Sequence, residues 1–110
     1  LGKIFPDDPP RFMARTPHGY HDKAVINADL EQAGFRHISI ETLPAVSRAP
    51  TPEYVAFAYC QGTPLRNEIE ARDASKLEAA TDAVAEAIRM RHGPGPVEAR
   101  IQALVITARP

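Results

Sequence analysis

The feature that most constrains this chain is a long apolar run near its end, residues 97–108. The odd positions of this run are small or apolar, which places them on one face of a strand. The even positions are polar as far as Gln102 and then change to Leu104 and Ile106. The pattern predicts a strand that starts half-exposed and ends buried on both faces. Such a strand needs neighbouring strands and covering layers, and one short partner strand supplies only part of them.

Length and composition limit the chain to one domain. A chain of 110 residues folds only if nearly all its apolar faces meet, so we expect a single domain over 1–110. The hydrophobic share of 44% and the charged share of 25% are ordinary for a folded protein. The net charge is −1 and no basic stripe is present, which argues against nucleic acid as a partner.

The cysteine count and the absence of long apolar runs bear on location. Cys60 is the only cysteine, so no internal disulfide can form. No apolar run is long enough to cross a bilayer or to form the core of a secretory signal. We therefore expect a cytoplasmic protein with no membrane partner. The chain starts on Leu1 rather than Met and ends on Pro110 after an apolar run, so we also expect a segment of a longer protein.

Local signals in the first half predict a loop, a helix and a strand. Residues 1–21 are punctuated by proline and glycine and predict a lid-like loop with one helical turn at most. In residues 22–48, Asp22 is a good helix N-cap and Gly34 a good stop. An alternating strand follows over 36–43, and Pro44 either marks it as an edge strand or bends it.

The second half predicts three inserted helices over 51–93 and the final strand over 97–108. The first two helices share a start signal, threonine followed by proline at the first helical position, and Asp73 can cap the third. The first of these helices is apolar nearly all round, which predicts burial on more than one side. Its aromatic residues Tyr54, Phe57 and Tyr59 could line the wall of a pocket, but at their helical spacing core packing is the simpler interpretation. The expected fold class is α+β, with a short antiparallel sheet of two main strands packed against about four helices.

Few residues have the spacing of a chemical site. His18 and His21 bracket Tyr20 in the predicted loop, and could form a metal pair or a general base with that tyrosine. Solvated loop histidines are the simpler interpretation, because a metal site needs three or four ligands and the other histidines are scattered. Cys60 lies near the end of an apolar helix, where a small buried thiol is commoner than a nucleophile. We expect no metal site and no catalytic residue in this chain.

The charged and glycine-containing segments also give no pattern of a substrate or cofactor site. Arg66 and Arg72 could meet an anionic substrate, but pairing of Arg72 with Glu68 one helical turn away is the simpler explanation. The glycines at 93 and 95 are each followed by proline, and no helix begins after them. They therefore do not form a phosphate-binding loop, and no cofactor of the nucleotide type is expected to bind this segment.

The order of elements resembles the end of class I S-adenosylmethionine-dependent methyltransferases of the small-molecule type. Residues 21–35, with their Ala-Gly-Phe ending, resemble the last crossover helix of that family, and 38–41 its sixth strand. Residues 59–66 resemble a helical insertion found in one bacterial subgroup, and 97–109 the seventh strand, which runs antiparallel within the sheet. The family's glycine-rich loop, its ribose-binding acid and its first five strands have no counterpart here. No catalytic residue can therefore be carried over.

The resemblance implies a C-terminal, substrate-side segment of a methyltransferase that is inactive alone, with S-adenosylmethionine bound by the full-length parent. It further implies that 6–20 form part of a lid over a small-molecule substrate and that 52–92 border the same pocket. The candidate substrate contacts are His18, Tyr20, Tyr59 and Arg66. The alternative is a stand-alone α+β binding or dimerisation module without catalytic activity. In both cases the open edge of the final strand predicts a homo-oligomer.

Overall fold

Two long strands form an antiparallel ribbon in the computed structural model, which describes residues 1–110. Strand β1 spans Arg36–Ala49 and strand β2 spans Val97–Arg109. Both the antiparallel pairing and the insertion of the helices between the strands are confirmed, as is the α+β class. The strand continues past its predicted end at Leu43 and through Pro44, opposite Gln102, and β1 is an edge strand, one of the two outcomes expected for this proline. A two-stranded ribbon tolerates this proline because each strand has an unpaired outer edge.

Helix α2 leads into the ribbon with the predicted start and stop. It spans Lys23–Gln32, and the Asp22 carboxylate accepts hydrogen bonds from the backbone N–H groups of the first turn. Gly34 adopts a φ of +94°, and the N–H of Phe35 donates to the carbonyl of Leu30 at 3.0 Å. This arrangement is a Schellman cap, and it turns the chain from the helix into β1.

Three helices connect the strands: α3 (Pro52–Gly62), α4 (Leu65–Asp73) and α5 (Leu77–His92). Thr51 caps α3 as predicted, accepting from the N–H of Tyr54 at 3.2 Å. Asp73 instead caps a single 3-10 turn, Ala74–Lys76, that precedes α5. No helix is both long enough and apolar enough to cross a membrane.

The expectation that α3 is buried on more than one side is wrong. Only one face is buried, and it carries small residues at four-residue spacing: Pro52, Ala56 and Cys60. These pack towards α5, where Ala80 is fully buried. Small side chains let the two helices approach closely, so the large aromatic residues are left outside the contact.

Residues 1–21 form turns around one short helix, and this segment packs on the inserted helices. The predicted single turn is present as helix α1 (Phe12–Arg15), but the segment also contributes Phe5 to the main core. Phe5 packs with four buried residues of the inserted helices, which are Cys60, Leu65, Ile69 and Ala80. Two ion pairs also hold the segment against α4. Arg15 of the segment pairs with Glu68 of α4, and Arg72 of α4 pairs with Asp8 of the segment.

The ribbon is largely uncovered, contrary to the expectation for β2. Val97, at the start of β2, is buried, whereas Val105 and Ile106, near its end, are 47% and 42% exposed. The inserted helices lie at the end of the ribbon where they join the strands, near Ala49 and Val97. At the far end, near Arg36 and Arg109, nothing in the chain covers both faces. The Cα radius of gyration is 17.4 Å, against about 13 Å for a compact domain of this length. The ribbon therefore projects from the helical body.

Candidate binding groove

A groove lies between the segment that precedes α2 and one face of β2. Its volume is about 470 Å³. Leu104, Ile106 and Gln102, which alternate along β2, share its floor, while Ile26 of α2 closes one side. The complete lining is Pro17, His18, Tyr20, His21, Ile26, Gln102, Ala103, Leu104 and Ile106.

Local backbone contacts hold the outer wall, residues 17–21, in place. The N–H of His18 donates to the carbonyl of Met13 at 3.0 Å. Gly19 passes so close to α1 that a Cβ there would lie 2.3 Å from the carbonyl oxygen of Arg15. Only glycine fits this approach, because that oxygen belongs to the backbone and cannot swing away.

Tyr20 joins the wall to α2. Its hydroxyl donates a hydrogen bond to the carboxylate of Asp29, and this bond raises the pKa of Tyr20 above its ordinary value. The neutral phenol is favoured because only the protonated hydroxyl can donate to the negative carboxylate. The Tyr20 hydroxyl proton is thus engaged with the protein rather than free for a ligand.

The lining is apolar with a few hydrogen-bonding groups. Aliphatic or proline side chains make up five of the nine lining positions, and none of the nine is a lysine, arginine, aspartate or glutamate. The polar groups are the imidazoles of His18 and His21, the amide of Gln102 and the phenol of Tyr20. Such a surface suits a molecule that buries hydrocarbon and makes one or two hydrogen bonds.

The structure brings together two of the four predicted substrate contacts. His18 and Tyr20 lie in the groove, whereas Tyr59 and Arg66 are outside it. The backbone carbonyl of Tyr59 accepts from the Thr63 hydroxyl at 2.6 Å, near the end of α3. Arg66 pairs with Glu70 one turn along α4, with 2.7 Å between Nε and Oε1. The inserted helices contribute no residue to this groove, so a shared pocket with them stays a prediction.

A second groove, of about 630 Å³, runs between α3 and α5. Tyr54 and Phe57 line it and are 62% and 60% exposed, so the expectation that they pack in the core is wrong. Wall positions of this kind were the alternative interpretation of the aromatic cluster. The side of this groove formed by α5 carries Glu78 and Asp82, so its character is more polar than that of the groove at β2.

Other residues considered for chemistry have structural surroundings. Cys60 is fully buried, and burial raises the pKa of its thiol, which favours the unreactive protonated form. Arg72 lies near Glu68 as predicted, with 4.0 Å between the charged groups, and also donates to the backbone carbonyl of Asp8 at 2.6 Å. No group of three or more histidine, cysteine, aspartate or glutamate side chains is arranged to hold a metal ion.

Several groove residues were not identified from the sequence as ligand contacts. Ile26, Leu104 and Ile106 carried the signals of a helix stripe and a strand, which indicate burial but not its purpose. Their juxtaposition with His21 depends on how residues 17–21 fold over β2. The one local signal was Gly19 between two ring-bearing residues, since glycine often marks a close backbone approach.

No protein-family model, no curated protein and no solved structure matches this chain.

Proposed function

We propose that the chain is the substrate-side segment of an S-adenosylmethionine-dependent methyltransferase and that its ribbon completes a larger β-sheet. The observation that carries the proposal is the connectivity around the ribbon. Helix α2 ends in Gly34 and Phe35 and enters β1, the inserted helices follow, and β2 returns antiparallel to β1. This is the arrangement that the resemblance implies for the end of such an enzyme.

The exposure of the ribbon supports its place in a larger sheet. Apolar side chains on both faces are about half exposed; they include Leu43 and Val105 on one face and Val46 and Ile106 on the other. An isolated two-stranded sheet is marginally stable in water, and exposed apolar faces add no stability to it. Further strands and covering helices would bury these side chains.

The two outer edges of the ribbon differ in their suitability for a further strand. The middle of β1 contains Pro44, which lacks a backbone donor, whereas β2 contains no proline. Residues 101–108 of β2 also carry no charge. None of the backbone hydrogen bonds outside the helices and the ribbon involves β2. The outer edge of β2 is therefore the one that can accept another strand.

The residues of this chain do not fit the cofactor. A nucleotide-type cofactor needs a glycine-rich turn from a strand into a helix. The one junction of that kind here runs from β1 into α3 through Pro50 and Thr51 and has no glycine. Gly93 and Gly95 lead into β2 rather than into a helix. In the proposal, the rest of the parent protein supplies the cofactor site.

The experiment compares this chain with the product of the complete open reading frame that encodes it. Isothermal calorimetry with S-adenosylmethionine should show saturable binding to the complete product and none to residues 1–110. Failure of the complete product to bind would refute the methyltransferase proposal. Saturable binding to residues 1–110 would contradict the assignment of the cofactor site to the rest of the protein.

The β2 edge also favours a second candidate, a binding module that dimerises. Two β2 strands can pair antiparallel about Ala103, which sets Ile101 of each copy opposite Val105 of the other. In this register no two like charges are opposed, and the shared face is apolar. A complete reading frame no longer than this chain, with a stable dimer in solution, would favour this candidate over the enzyme.

A further inference from the structure

We propose that the groove at β2 binds an uncharged, largely apolar molecule carrying one hydroxyl group, and that this molecule is the methyl acceptor. The second half of the statement rests on the proposed function. The binding chemistry rests on the groove itself, which contains Leu104, Ile106 and Ile26 beside two imidazoles.

Charge is the first reason for this ligand class. Anionic ligands such as phosphates and carboxylates are held in proteins by arginine, lysine or free helix N-termini. The groove lining contains no arginine or lysine, and the nearby N-terminus of α2 is already capped by Asp22. Asp29 lies behind Tyr20 and adds negative charge on that side. An anion in this groove would therefore lie beside the Asp29 carboxylate with no permanent cation to offset the loss of its hydration.

The available hydrogen-bonding groups are the second reason. Because the Tyr20 hydroxyl donates to Asp29, the imidazoles of His18 and His21 and the amide of Gln102 remain for a ligand. A neutral imidazole has one nitrogen that accepts and one that donates, so it pairs well with a hydroxyl. The aliphatic floor takes the hydrocarbon part, and about 470 Å³ is within the usual range for small-molecule sites.

The test is a titration of the ¹⁵N-labelled chain, followed by amide shifts, with three naphthalene probes. We expect 2-naphthol to give saturable shifts confined to residues 17–26 and 102–106. The anionic naphthalene-2-sulfonate should bind about tenfold more weakly or worse, a difference typical of an uncompensated polar group. The compound 2-methoxynaphthalene, which cannot donate a hydrogen bond, should fall between them. Equal binding of the sulfonate, shifts elsewhere or no saturable shift would overturn the proposal.

Variants on the two faces of β2 locate the site. Leu104→Glu should abolish 2-naphthol binding, while Val105→Glu, one residue along on the opposite face, should retain it. His18→Ala and His21→Ala alter exposed side chains and should weaken 2-naphthol several-fold but leave 2-methoxynaphthalene unchanged. If Leu104→Glu does not fold, the histidine variants decide alone, and equal effects on both probes contradict the hydrogen-bonding role.

The outcome is separable from that of the proposed function. If 2-naphthol binds in the groove but the product of the complete reading frame does not bind S-adenosylmethionine, the proposed ligand class is supported and its role as methyl acceptor is refuted. If that product binds the cofactor but 2-naphthol does not bind in the groove, the methyltransferase proposal is supported and this inference is wrong.

Discussion

Glu68 is the residue that ties the N-terminal segment to the helices. Its carboxylate accepts from the Arg15 guanidinium at 2.5 Å and from the Arg11 N–H at 3.3 Å, and Arg72 lies nearby. The hydrogen bond from Arg15 is the main cause that lowers the pKa of Glu68. A single carboxylate on α4 thus holds both ends of the α1 turn.

The first prediction concerns pH. Since the folded pKa of Glu68 lies below its ordinary value, the contact stabilises the docked segment above the unfolded pKa. The stabilisation of the docked segment by Glu68 is lost as the pH falls through the pKa of Glu68 in the folded protein, because the carboxylate is then protonated. Relative to α5, amide exchange of residues 11–15 should therefore accelerate as the pH falls below about 4.5, the ordinary pKa of the glutamate side chain. Glu68→Gln should remove most of this pH dependence, and Glu70→Gln, which breaks only the exposed pair with Arg66, should keep it. Identical profiles for the two variants would contradict the role of Glu68.

The second prediction compares two phenylalanines. Phe5 is 8% exposed in the main core, while Phe57 is 60% exposed on α3. Phe5→Ala leaves a cavity and should lower the free energy of unfolding by about 3 kcal/mol. Phe57→Ala should change it by about 0.5 kcal/mol or less. Urea denaturation followed by circular dichroism measures both. Similar losses in the two variants would mean that residues 1–21 are not docked on the helices.

At the scale of elements, the short-range signals predicted the helices well. Asp22, Thr51 and Gly34 act locally, because a cap is completed by the backbone of the next few residues. Start and stop positions could therefore be predicted without knowledge of the tertiary structure. A different argument predicted the antiparallel pairing of β1 with β2: each strand has an apolar face to cover.

The predictions failed where packing over long distances decides the outcome. Phe5 lies among prolines and acids, and nothing local shows that it enters a core formed by helices some sixty residues later. On α3, the apolar content predicted burial on more than one side, but close helix contact buries only the face that carries Ala56 and Cys60. The groove was half predicted for the same reason: His18 and Tyr20 stand out in a loop, while their apolar partners arrive from β2.

The third prediction belongs to the groove wall as an element. Gly19→Ala places a methyl group against the Arg15 carbonyl and must push residues 17–21 away from α1. We expect it to weaken 2-naphthol binding about tenfold or more, an effect of about 1.4 kcal/mol. Gly62→Ala is the matched control, because a Cβ there meets nothing within 4 Å, and it should bind normally. Normal binding by Gly19→Ala would show that the wall does not depend on this close approach.

At the scale of the whole molecule, a projecting ribbon is joined to a small helical core. The longest dimension of the molecule is 49 Å and the shortest 19 Å. Only eleven of the 110 residues are buried, and most of them lie in the helices. The ribbon gains little from the core at its far end, so its stability depends on what covers it. In the proposed parent that cover is further sheet, and in the isolated chain a second copy can provide it.

The fourth prediction is that the isolated chain is not a monomer and associates through the outer edge of β2. Light scattering should report about twice the 12.0 kDa chain mass at high concentration, declining on dilution. Val105→Glu sets a charge opposite Ile101 of the other copy and should shift the chain towards monomer. Leu43→Glu lies on the same face but on β1, so edge pairing leaves it remote from the partner strand and should preserve the dimer. If both variants dissociate the dimer, the two copies stack face to face instead. A single 12.0 kDa species at every concentration would show that the open edge does not pair with itself, and the second candidate function would be lost with it.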